Sequence, residues 1–266
     1  NRFQRNGNCV VEFTAESKPR FFSSVVLDNA ANAIKVSGTF AGPTTWDVDV
    51  AFAPVGNLTI PAGASLNLLP GIAVKFWPGV NVAANGPIYA DGTITQPVVL
   101  TSFRDDTIGG DTNNNISATV PSAGNWGTIT VISTAAGTRF TNAWIRYGGA
   151  PVVKVDNTSI VLTDSILDSN AGGIDFTTAT QGNGTVQRDV FRNNVSYAVR
   201  TRIDNMYLVA TTNEFTNDIG NAIRVGSGTL VQDTTLITGT IYWIDSWTVP
   251  ASRTLFVPEN VIVKLG

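Results

Sequence analysis

The sequence predicts an all-β chain wound as a parallel β-solenoid, and three observations carry that prediction. The first is a short repeat. "SILDSNAGGIDF" (165–176), "DVFRNNVSYAVR" (189–200) and "NEFTNDIGNAIR" (213–224) align without gaps, placing Leu167, Phe191 and Phe215 at intervals of 24 and Ile174, Ala198 and Ala222 in a second column. The second is local: each unit is a few residues of apolar/polar alternation, an Asn/Gly turn, then another short alternating run, with no competing helical period. The third is a longer echo. "LTIPAGASLNLLPGIAVKF" (58–76) returns as "WTVPASRTLFVPENVIVKL" (247–265), with Pro61 and Pro250, and Lys75 and Lys264, each 189 apart.

Taken along the chain, the elements fall into place as coils. The 189 offset also maps "NAIKV" (32–36) onto "NAIRV" (221–225), and one residue off that register "FQRNGNCVV" (3–11) maps onto "FRNNVSYAV" (191–199). Residues 1–76 and 189–265 are therefore expected to be two copies of one segment within a single solenoid spanning 1–266. In the middle, "AWIRYGGA" (143–150) is an earlier copy of the short unit, with Ile145 in the place of Leu167. A stack of coils of 22–24 residues buries a continuous apolar column, and this chain is long enough for roughly ten. Neither end carries the polar or helical cap that closes a solenoid, so terminal strands are expected to present open edges. Two arrangements fit: a stretch of a longer tandem array, or a protomer stacking end to end on other copies of itself.

These phrases, together with "GPIYADGTITQPVVLTSFRDDTIGGDTNNN" and "AGNWGTI", resemble the right-handed parallel β-helix repeats of large secreted bacterial and archaeal surface proteins, over about residues 22–266. The resemblance implies the fold and an extracellular or cell-surface location. It does not choose an activity, because that group holds adhesins, surface-layer-like proteins and polysaccharide lyases alike.

Composition narrows the chemistry. Histidine is absent and cysteine occurs once, at Cys9, which excludes Ser-His-Asp and Cys-His catalysis, an internal disulfide framework and Cys-rich zinc sites. A net charge of −3 gives no electrostatic reason to expect nucleic acid. No apolar run reaches 18 residues, so no membrane span is expected. Only 14% of residues are charged, which leaves the polar surface to Asn, Thr, Ser and Gly.

Four candidate sites remain. The stretch 104–126 interrupts the strand pattern, and within it Asp111, Asn113 and Asn115 have alternate spacing, with Asp105 and Asp106 upstream. Calcium is the ion such oxygens suit, at about six to eight ligands. Against it, Ile116 and Ser122 stand where an EF-hand loop needs glycine and glutamate, so a polar loop satisfying its own backbone is the favoured expectation. No other cofactor is implied. Second, Arg146, Asp168 and Arg192 fall at one position of successive coils and predict a surface ion-pair ladder rather than a groove for acidic polysaccharide. Third, Trp144, Trp243 and Trp247 are candidates for an outward aromatic face meeting a neighbouring repeat or a glycan. Fourth, of five N-x-S/T sequons at Asn57, Asn115, Asn157, Asn183 and Asn194, loop context favours Asn115 and Asn183 as glycosylation sites. The leading expectation is a non-enzymatic structural element of a fibre or surface stalk, with a glycan-binding adhesin as the alternative and a lyase or hydrolase third.

Overall fold

Between the turn residues there is room for only short runs, and most strands are three to five residues long. The computed structural model describes residues 2–17, 25–47, 50–116, 118–179, 184–217 and 222–266. Among these, every strand pairing is parallel, and the regular non-strand structure is one 3-10 segment, Ile203–Leu208. The chain forms an all-β solenoid of about 11 turns, close to the number expected from the repeat length.

One coil shows the plan. Arg139–Thr141, Ala143–Arg146 and Val153–Asp156 follow one another around the coil, the first in a six-stranded sheet and the other two in a 17-stranded one, and Val161–Thr163, Ile166–Asp168 and Ile174–Thr178 stack directly on them. The first sheet runs Ala73–Phe76, Val98–Ser102, Ala143–Arg146, Ile166–Asp168, Val190–Arg192, Glu214–Thr216. The inward column is Val74, Leu100, Ile145, Leu167 and Phe191, with Phe215 stacked on Phe191 at 5.1 Å between ring centroids. Four of these were placed together by the repeat alignment.

The second column needs one correction. Ile174 pairs with Val199, not Ala198, and Val199 pairs in turn with Ile223. The turn at 193–198 holds one residue more than its predecessor, and Gly173 permits it: a Cβ there would lie 1.8 Å from the Ala198 carbonyl oxygen. A gap-free alignment has no means of showing a bulge absorbed inside a turn.

Corners repeat as faithfully as strands. Asn142, Asp164 and Arg188 occupy one corner and Tyr147, Ser169, Asn193 and Asn217 the next, all at φ between 47° and 61°. Asn and Asp tolerate this left-handed conformation best. Buried side chains then cap the turn backbone from coil to coil. Gly148 N donates to Asn170 Oδ1 (2.8 Å) and Asn170 N to Asn194 Oδ1 (3.1 Å). At the other corner Ala143 N donates to Ser165 Oγ, Ser165 N to Asp189 Oδ1 and Asp189 N to Asn213 Oδ1. Each bond satisfies a backbone group that a tight turn would otherwise bury unpaired.

The two ends share a pairing pattern. Arg2–Gln4 pairs with Val25–Leu27 as Val190–Arg192 pairs with Glu214–Thr216. Val11–Thr14 pairs with Ile34–Thr39 as Val199–Arg202 pairs with Ala222–Gly226. Thr44–Trp46 and Leu66–Leu68 match Thr234–Thr235 and Leu255–Phe256, and Phe52 opposite Val74 matches Tyr242 opposite Val263. Equivalent residues differ by 188 to 190, so single-residue slips are absorbed in turns.

Candidate functional site

The 104–126 loop folds back over the outer side of the preceding coils, and a lysine organises it. Lys75 points outward from Ala73–Phe76, yet it is wholly buried, donating to the Gly110 carbonyl and to Thr112 Oγ1 at 2.6 Å each. Burial pulls its ammonium down to about 8, opposed by the nearby charges of Asp105, Asp106 and Asp111. Asp106 is raised above the usual carboxylate range, first by burial and then by Asp111. The positive charge among these carboxylates is thus the protein's own.

The proposed calcium donors are spread among other tasks. Asp105 is buried and accepts from Thr101 Oγ1 (2.6 Å), from Thr107 Oγ1 (2.5 Å) and from the Arg146 guanidinium (3.3 Å). Asp111 accepts from Asn115 N (3.0 Å) and Ile116 N (2.7 Å), four and five residues on, so its carboxylate satisfies backbone of its own loop. Asn113 and Asn115 both donate through Nδ2 to Thr119 Oγ1. Among the described residues, one oxygen each of Asp106, Asn113 and Asn115 is buried without a hydrogen-bond partner. Among the described residues no group of three or more His, Cys, Asp or Glu is placed to hold a metal ion.

The ion-pair ladder is in register. Arg146 lies opposite Asp168, and Asp168 opposite Arg192. Arg192 reaches Asp168 at 3.0 Å and Arg146 reaches the same carboxylate at 4.0 Å, while Arg146 also approaches Asp105 at 3.3 Å. The ladder therefore ends in the loop, tying it to the first sheet. Burial would raise Asp168, but hydrogen bonds from Asn193, Ser169 and Arg192 outweigh it and hold the carboxyl below its ordinary value.

Outer positions of the last coils form a row that the sequence repeats did not single out. Asp175, Arg200, Arg224, Trp243 and Lys264 lie opposite one another in successive strands. A depression of about 280 Å³ beside them is lined by Thr177, Arg200, Arg224, Gly226, Trp243 and Asp245. Arg200 meets Asp175 at 3.8 Å, whereas Arg224 has no ion pair among the described residues and lies over the Tyr197 ring.

No family model, curated protein or solved structure matches this chain. Its surface is read from its own chemistry.

The three tryptophans divide. Trp243 is 45% exposed and points out of the solenoid. Trp144 is half-buried between Val99 and Ile166 on the outer side of the first sheet, beside a groove of about 580 Å³ that Ile94 and Arg188 also line. Trp247 is half-buried and packed against the core, so its ring is not presented as Trp243's is. Trp126, by contrast, is buried and stacks on Phe76 at 4.4 Å, donating its indole N–H to the Arg146 carbonyl. Of the sequons, Asn183 lies outside the described residues, Asn115 has its amide committed to Thr119, and Asn194 is buried inside the turn ladder. Among the described residues no helix is long and apolar enough to cross a membrane.

Proposed function

We propose that this chain is a structural element of an extracellular fibre or cell-surface stalk, built by stacking or tandem repetition of parallel β-helix units like those of large secreted surface proteins. The observation that carries the reading is the recurrence of whole strand pairs at offsets of 188 to 190, with partners preserved. A segment that packs the same way at both ends of a solenoid is the geometry from which an extended array is made. The few charges, and polar residues spent on capping turns rather than converging on a cleft, favour a mechanical over a catalytic role.

Electron micrographs of native material test this. Filaments longer than the roughly 50 Å of 11 coils at one strand spacing each are expected, and isolated particles of one solenoid's length would reject it.

A second reading is that the same surface holds glycans as an adhesin segment. It is favoured by exposed Trp243 flanked by Arg224 and Lys264, an arrangement able to stack on a sugar ring and hold an acidic substituent. Retention on a glycan array that vanishes with Trp243→Ala is the expected result; unchanged retention, or none, removes it.

A further inference from the structure

One corner in the middle of the solenoid carries a groove that neither the turn ladders nor the buried charge ladder uses. Gly92, Asn142 and Asp164 hold the same place in successive coils, because each donates its backbone N–H to the coil that follows. Gly92 N reaches the Thr141 carbonyl (2.8 Å), Asn142 N that of Thr163 (3.1 Å) and Asp164 N that of Gln187 (3.2 Å). After Gly92 the chain leaves this pattern, and residues 93–97 intervene before Val98–Ser102 resumes the coil. The close approach requires glycine there, since a Cβ would lie 2.4 Å from the Asn142 carbonyl oxygen. The inserted residues are firmly held. Thr93 and Gln96 exchange backbone hydrogen bonds (3.0 and 3.2 Å), and Gly71 N donates to the Gln96 carbonyl. Ile94 is nonetheless 91% exposed.

The groove of about 580 Å³ beside this insertion has an apolar row and a polar one. Trp144 and Ile166 form the first, opposite each other in successive strands. Asn142, Asp164 and Arg188 form the second, along the corner. Asp164 and Arg188 neutralise each other in a two-pronged pair, Nε to Oδ1 and Nη2 to Oδ2 at 2.7 Å each. Among the described residues the Asn142 carboxamide and the Trp144 indole N–H make no hydrogen bond, yet neither is sealed from water.

We propose that this groove binds an uncharged glycan chain, running along the solenoid axis with a sugar ring on Trp144 and hydroxyls on the corner row. The proposal needs neither the fibre reading nor the Trp243 depression, where Arg224 and Lys264 suit an acidic ligand instead. Three features select the class. The C–H face of a pyranose ring stacks on an indole, and coils about 4.8 Å apart pass one ring from Trp144 to the next on Ile166. Sugar hydroxyls both donate and accept, which matches a carboxamide, a carboxylate and a guanidinium fixed by one backbone corner. The paired Asp164 and Arg188 offer no net charge, so a polyanion gains nothing there. An extended peptide fits less well, because it binds by adding to an open strand edge. Ala143–Arg146 is already paired on both sides, by Val98–Ser102 and Ile166–Asp168.

Titration calorimetry of the full chain with cellohexaose, chitohexaose, mannohexaose and hexagalacturonate tests this. At least one of the three neutral hexasaccharides is expected to bind, and Trp144→Ala to weaken that binding by about tenfold or more. Asn142→Asp should weaken it about threefold or more; aspartate tolerates this corner's φ of 47°, as Asp164 does at 55°. A cooperative urea transition verifies that each variant is folded. Trp243→Ala should leave the affinity unchanged, which separates this site from the Trp243 depression. Loss of binding with Trp243→Ala but not with folded Trp144→Ala overturns the proposal, as does an absence of heat from all three neutral hexasaccharides. Hexagalacturonate bound in a Trp144-dependent way overturns it in favour of an acidic ligand. Self-association abolished by Trp144→Ala, with no sugar bound, overturns it in favour of a contact between copies.

Discussion

Asp189 lies wholly buried in the ladder between Ser165 and Asn213, and burial pushes its carboxyl from 3.8 up to about 8. One oxygen accepts from Ser165 N at 2.8 Å; the other has no hydrogen-bond partner among the described residues. The neighbouring rung shows what fits better. Asn213, one coil on, accepts from Asp189 N and donates through Nδ2 to the Val186 carbonyl. Leu162 lies opposite Val186 in the previous coil, so an asparagine at 189 finds the same acceptor in Leu162. Below pH 4 the acid is neutral in both folded and unfolded chains and costs nothing. Between pH 4 and 8 the unfolded chain ionises first, so stability falls as pH rises, and the loss is complete above 8. Asp189→Asn should therefore raise the melting temperature by an amount that grows from pH 4 to pH 8, corresponding to on the order of a few kcal/mol at the upper end. Thermal melts across that range check it; a gain independent of pH would mean that the carboxyl is not the source.

At the scale of elements, turn ladders should matter more than surface ion pairs. Asn170 is buried and serves Gly148 N, the Ile145 carbonyl and Asn194 at once. Asn170→Ala leaves two turn groups unsatisfied and should cost about 2–4 kcal/mol, read from urea midpoints. A double-mutant cycle on Arg188 and Asp164 should return less than about 1 kcal/mol, because both side chains are exposed. For the 104–116 loop, with Lys75 among its carboxylates, millimolar calcium should leave the melting temperature unchanged; a rise of several degrees would restore the metal reading. These contrasts mark what a sequence can disclose here. Period and alternation revealed the coils, the Leu167–Phe191–Phe215 column and the charge ladder, because each depends on spacing alone. The slip at 193–198, the burial of Lys75 and the raised carboxyl of Asp189 depend on what lies across the coil or over it. Nothing in the phrase that holds Lys75 announces that a loop 35 residues further on will bury it under Gly110 and Thr112.

For the whole molecule, a solenoid's stability is a sum over neighbouring coils, so it is weakest where a coil has one neighbour only. In a polypeptide of residues 1–266 alone, Phe256, Val263 and Leu265 stand exposed on its last coil, a template for association. That polypeptide is therefore expected to self-associate as its concentration rises, with sedimentation velocity showing a shift to larger species. Phe256→Lys combined with Leu265→Glu should suppress that shift, because charges at the end of the core column oppose its burial against any partner. The same pair should leave the unfolding midpoint nearly unchanged, since neither side chain is buried in the free chain. If association persists in the double variant, the outer groove at Ile94 and Trp144 becomes the contact, and Ile94→Asp should abolish it; if neither change has an effect, the chain's association does not run through its apolar surfaces.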